Sequence, residues 1–170
     1  MRLTISEEYG KFIQDFCESN SEFHSVSDFA ETAIRYTLED YWSEIYRICI
    51  DITGKTGLDC LPAFDPKNES FITLKKEKVQ KTFDWNSVDN VGRGMYKDSI
   101  QFFPTEELMK NVELTIKYDS NCPSVQQFCR FAIKYYIACI YTRIAFQTEY
   151  LKQYVAGFES RTKDISHKIE

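Results

Sequence analysis

The sequence is poor in the residues that most simple functional readings need. It has two histidines, His24 and His167, far apart and in no metal-ligand spacing, so no metal site is expected. Its six cysteines (Cys17, Cys49, Cys60, Cys122, Cys129 and Cys139) include no CxxC pair. Most fall on apolar faces of expected helices and read as buried free thiols in a reducing cytoplasm. No apolar run reaches the roughly 18 residues of a membrane helix, so no membrane partner is expected. Met1 leads into an alternating segment rather than an apolar signal core, so no signal peptide is expected either. No nucleophile lies beside a base, and the lone GxG at Gly92-Arg93-Gly94 is too little for a phosphate loop. Glu7-Glu8 and Glu106-Glu107 are adjacent carboxylates, but each pair fits the first turn of a helix. Neither an enzyme nor a cofactor is expected.

Basic charge is scarce as well. The net charge is −5, and residues 1–45 hold three basic and ten acidic side chains. Residues 46–97 are net +2, 98–140 net −1 and 141–170 net +1. This balance is not the electrostatic footprint of a nucleic-acid binder. Aromatics, by contrast, are abundant at 15%, which points to bulky packing or partner-binding surfaces.

The most informative feature is a repeat. Shifted by 99 residues, 1–41 aligns with 100–140 without a gap. Ten positions are identical, among them Glu7/Glu106, Ser25/Ser124, Phe29/Phe128, Ala33/Ala132 and Tyr36/Tyr135. Unrelated segments of this length share about two or three.

Each copy reads in the same order. Met1, Leu3 and Ile5 alternate with Arg2 and Thr4, which predicts a short half-buried strand. Ser6 then caps a helix carrying Tyr9, Phe12, Ile13, Phe16 and Cys17 at helical spacing, ending near Ser19. Ser25 or Ser27 caps a second helix with the stripe Val26, Phe29, Ala30, Ala33, Ile34, Thr37, Leu38 and Tyr41, running to about Ile50 before Gly54 and Gly57. In the second copy Ile100 and Phe102 face inward, and Ser99, Gln101 and Phe103 face out. Pro104 stops that strand, and Thr105 and Ser124 cap the two helices, the last continuing to about residue 158 before a polar, fraying end. Between the copies, 69–75 and 79–85 are expected as two strands of a hairpin, with Lys75, Lys76, Lys78 and Lys81 at its solvated tip.

The expected organisation is repeat 1 (1–50), an insert or linker (51–97), repeat 2 (98–140) and a C-terminal helix extension (141–170). One copy has a strand without a ladder partner and helix stripes without a cover, so the two should fold as one unit. The fold class is mainly α with a small β component.

Strand, helix, polar turn and longer helix, together with Arg-Leu-Thr-Ile-Ser-Glu-Glu (2–8), Ser25–Tyr36 and their copies, resemble the ribbon-helix-helix family of repressors and antitoxins. The resemblance covers about half of the chain. It implies an intramolecular pseudo-dimer whose paired strands form a two-stranded antiparallel ribbon that enters the DNA major groove. It also implies a sequence-specific transcriptional regulator. The base-contacting positions would be Arg2, Thr4, Ser99 and Gln101, side chains suited to guanine, thymine-methyl and adenine contacts. The phosphate-contacting positions would be Ser25, Ser27, Ser124 and Val125, at the starts of the longer helices. Two chains could sit side by side as a homodimer through the long C-terminal helix. The alternative is a protein-interaction module on the same fold, motivated by the acidic first copy and by Tyr41, Trp42, Tyr46, Tyr135, Tyr136 and Tyr141.

Overall fold

The computed structural model describes residues 1–65, 67–87 and 98–166. The Gly92–Gly94 segment and residues 167–170 lie outside these. The described residues are mainly helical, with a small two-stranded sheet and a long C-terminal helix. Two compact units are present, Met1–Tyr135 and Tyr136–Glu170. Among the described residues no helix is long and apolar enough to cross a membrane.

In the first unit, β1 (Arg2–Ile5) pairs antiparallel with β2 (Asp98–Gln101), Arg2 opposite Gln101 and Thr4 opposite Ser99. Met1 extends the ladder, exchanging backbone hydrogen bonds of 2.7 and 3.0 Å with Phe102. Leu3, Ile5, Ile100 and Phe102 are buried, as the alternation predicts.

Helix α1 (Glu7–Ser19) is capped by Ser6, whose side chain accepts from Tyr9 N, and has Glu7 and Glu8 in its first turn. Helix α2 (Val26–Thr53) is capped by Ser25 and ends at Gly54, whose φ of 65° and N–H donation to Ile50 O close the helix. The buried face of α2 runs from Phe29 through Ala33, Ile34, Thr37 and Leu38 to Tyr41. At the offset of 99, Phe29/Phe128, Ala30/Cys129, Ala33/Ala132 and Ile34/Ile133 are all fully buried. Burying a Phe or Ile side chain is worth about 1.5–3 kcal/mol.

The expected hairpin between the copies does not form. After a 3-10 segment at Gly57–Ala63, residues 69–82 are helical throughout: α3 (Glu69–Leu74), a π turn (Lys75–Val79) and α4 (Gln80–Thr82). Asn68 explains the start, since its side chain accepts from Ser70 N and Phe71 N. Phe71 before the π turn and Val79 at its end are both buried. Lys75 is not at a solvated tip either, with a side chain only 14% exposed. Lys76 and Lys81 are exposed, as expected, and Lys78 is paired with Asp51 at the surface.

In the second copy, α5 (Glu106–Tyr118) is capped by Thr105 and has Glu106 and Glu107 in its first turn. Helix α6 runs Val125–Ser166, past the expected stop near residue 158. Helices α1 and α5 thus begin and end 99 residues apart, and α2 and α6 begin so. Two pairs of repeat-equivalent residues also meet each other. Arg2 faces Gln101 in the ladder, and the Tyr36 and Tyr135 rings lie 6.3 Å apart.

Candidate nucleic-acid interface

The ribbon brings the four expected base-contacting residues onto one face. With Leu3, Ile5 and Ile100 turned into the core, Arg2, Thr4, Ser99 and Gln101 point the other way. Arg2 and Gln101 are exposed, while Thr4 and Ser99 are half-buried. Arg2 Nε donates to Ser99 Oγ at 3.1 Å, a diagonal cross-strand bond that lays the side chain along the ribbon. Phe103 continues the outward row and is 70% exposed. Its N–H donates to Ser27 Oγ at 3.2 Å, which fixes the backbone where the ribbon ends.

The longer helices begin beside this ribbon, each bonded to the strand of the other copy. Ser27 of α2 holds Phe103 beyond β2, and Arg130 Nε of α6 donates to Thr4 O of β1 at 2.9 Å. The expected phosphate positions are at the helix starts. Ser25 Oγ accepts from Asp28 N and Ser124 Oγ from Gln127 N, both at 3.1 Å. Ser25 is therefore the cap of α2, and Ser27 is not. The N–H groups of Val26 and Ser27, and of Val125 and Gln126, come next and have no intrahelical acceptor. They are the donors an anion would meet at each helix start.

The two helix starts differ in charge. At α2, Asp28 Oδ2 already accepts from His24 N at 3.2 Å, so a carboxylate occupies the anion-favouring end. The equivalent residue at α6 is Gln127, which is neutral and turned inward, donating from Nε2 to Trp85 O at 2.8 Å. The start of α6 thus lacks the carboxylate that faces the start of α2.

A second polar cluster went unread in the sequence. Asp119, in the turn after α5, is fully buried. Its Oδ2 accepts from Trp85 Nε1 at 3.0 Å and from Tyr41 Oη at 3.3 Å. Its Oδ1 accepts from Asn121 N and Nδ2 and lies 3.7 Å from Lys75 Nζ. Burial and the Asp119 carboxylate push the Tyr41 phenol far above its ordinary value, so it remains a donor. Every lone pair of the carboxylate faces a donor, as a buried charge requires. The cluster joins α2, α5, the π turn and Trp85, and it acts as a structural clasp. Nothing local marks Trp85 as its partner, but the acid at 119 against Asn20 in the first copy was a visible asymmetry.

The cysteines are free, and Cys49, Cys60, Cys122 and Cys129 are buried. Burial pushes the Cys122 and Cys129 thiols up to about 12. No family model matches the chain, and none of the curated proteins or solved structures matches it.

Proposed function

We propose that the chain is a tandem ribbon-helix-helix protein, an intramolecular pseudo-dimer that binds double-stranded DNA through its paired strands as a transcriptional regulator. The observation that carries the reading is the pairing of Arg2 with Gln101, exposed side by side on the outward face. In a pseudo-dimer, a two-fold rotation that exchanges the copies would map a pair of equivalent residues onto itself, and the meeting of Arg2 with Gln101 and of Tyr36 with Tyr135 supports that arrangement. Arg2 offers a bidentate fork to guanine O6 and N7, and Gln101 offers a matching pair to adenine N6 and N7. Because these two residues differ, the preferred site is not a palindrome at its centre. The α6 start, free of a competing carboxylate, holds the backbone phosphate on one side.

Selection from a randomised duplex pool, followed by titration of the chosen site, tests this. Arg2→Ala and Gln101→Ala are each expected to cost about 1–3 kcal/mol of binding and to relax preference at one base pair. Asp28→Asn is expected to tighten binding on all sequences by removing a charge facing phosphate. No retention on any duplex at low salt defeats the proposal.

A second reading, a protein-interaction module on the same fold, is favoured by one observation. Helix α1 exposes Glu7, Glu8, Asp15 and Glu18, so the first copy turns an acidic face outward. A stable complex with a basic protein, together with no binding to duplex, decides for it.

A further inference from the structure

The second unit has a side-chain pattern that neither reading above uses. From Tyr141 to Gln153 every residue of α6 is exposed. Among them Tyr141 is 56%, Ile144 48% and Leu151 59% open. An isolated helix gains little stability in water, and apolar side chains at this density add a cost to leaving it bare.

The spacing identifies the cover. Tyr141, Ile144, Thr148, Leu151, Val155, Phe158, Thr162 and Ile165 follow one another at alternating steps of three and four. That is a heptad repeat, with Tyr141, Thr148, Val155 and Thr162 at a and Ile144, Leu151, Phe158 and Ile165 at d. A 3.5-residue period suits a partner helix of the same period. An identical helix supplies that period and matches the stripe along its whole length.

Three further points favour a second copy of this chain. Thr148 is the polar residue in the exposed part of the stripe, and its Oγ1 already donates to Ile144 O at 2.8 Å, so burying it orphans no hydroxyl proton. The flanking positions carry little charge. In a parallel pair Gln147 faces Lys152, so no like charges meet, and Lys152 lies 3.9 Å from Glu149 of its own helix. The stripe is also long enough: its eight a and d positions span more than three heptads of sequence.

We infer that the chain dimerises through α6, residues 141–165 of two copies forming a coiled coil. The inference does not depend on the DNA reading, and its test needs no DNA. Light scattering of the full chain at micromolar concentration should give twice the 20.0 kDa chain mass. Ile144→Asp with Leu151→Asp should return it to the single-chain mass, while far-ultraviolet circular dichroism retains the signal of the first unit. Phe146→Asp is the control. Phe146 is 73% exposed but lies outside the stripe, so its substitution should leave the dimer intact. A single-chain mass for the unsubstituted protein overturns the inference. So does a dimer that survives the double substitution, or one lost equally to Phe146→Asp, which would mean unspecific apolar association.

Discussion

The two short turns that join the helices of each copy share one backbone device and close it in opposite ways. In the first, Asn20 Oδ1 accepts from Glu22 N and Asn20 O from Phe23 N. In the second, Asp119 Oδ1 accepts from Asn121 N and Asp119 O from Cys122 N, at positions 99 residues on. The first turn is then sealed by its own aromatics: Phe23 lies 5.6 Å from Phe16 and 5.3 Å from Phe29 between ring centres. The second copy has Thr115 and Cys122 where the first has Phe16 and Phe23, too little volume to do the same. Trp85 fills that space instead, stacked 5.2 Å from Phe128 and bonded to Asp119. Phe64 likewise stacks 4.5 Å from Tyr118. The segment between the copies is therefore part of the core of the second copy. A repeat unit can lose large side chains when another part of the chain supplies them.

The largest test of this contrast is Trp85→Ala. It opens a cavity and strips the Asp119 carboxylate of a donor, and should cost about 3–5 kcal/mol in urea unfolding. Phe23→Ala, at the other turn, creates a cavity without an orphaned charge and should cost less. Next comes Asp119→Ala, which leaves Lys75 and two ring donors without their acceptor and should cost about 3 kcal/mol, below the full buried-pair value because Lys75 is partly open to water. Asn20→Ala loses only turn bonds and should cost about 1 kcal/mol. Equal costs at 20 and 119 would erase the contrast.

A further effect is alkaline. Cys122 and Cys129 are pushed up to about 12 from 9.0, so the unfolded thiols ionise first as pH rises. The native state then holds more protons, and stability is complete below pH 9 and declines between about 9 and 12. Tyr118, raised to about 12 chiefly by burial, acts in the same direction. The first copy has Phe23 and Ala30 at the two cysteine positions. Cys129→Ala, which installs the first-copy residue, should flatten the slope of stability against pH, read as urea midpoints at stepped pH. A slope unchanged by the substitution would place its origin elsewhere.

Local signals made the helices and the strands legible. The caps Ser6, Ser25, Thr105 and Ser124, the apolar stripe from Phe29 to Tyr41 and the alternation at Leu3 and Ile5 depend on neighbours a few residues away. The outward residues Arg2, Thr4, Ser99 and Gln101 were legible for the same reason, because strand alternation alone sets their face. The segment after Asn68 was not. Phe71, Ile72, Thr73 and Leu74 read as β-prone, but helical packing against the rest of the unit overrides that preference. Nor was the Asp119 clasp, whose donors at 41, 75 and 85 come together only through tertiary structure.

The ladder between Met1 and Phe102 has a consequence for synthesis. Its two sides are 101 residues apart. At about 5–20 residues per second, β1 emerges and then waits roughly 5–20 s for its ladder partner. During that interval Leu3 and Ile5 belong to an unpaired edge, open to other nascent chains. Only four residues long and carrying Arg2, β1 is a poor template for such pairing. The same brevity that limits the ribbon to a few outward side chains protects the chain while it is being made.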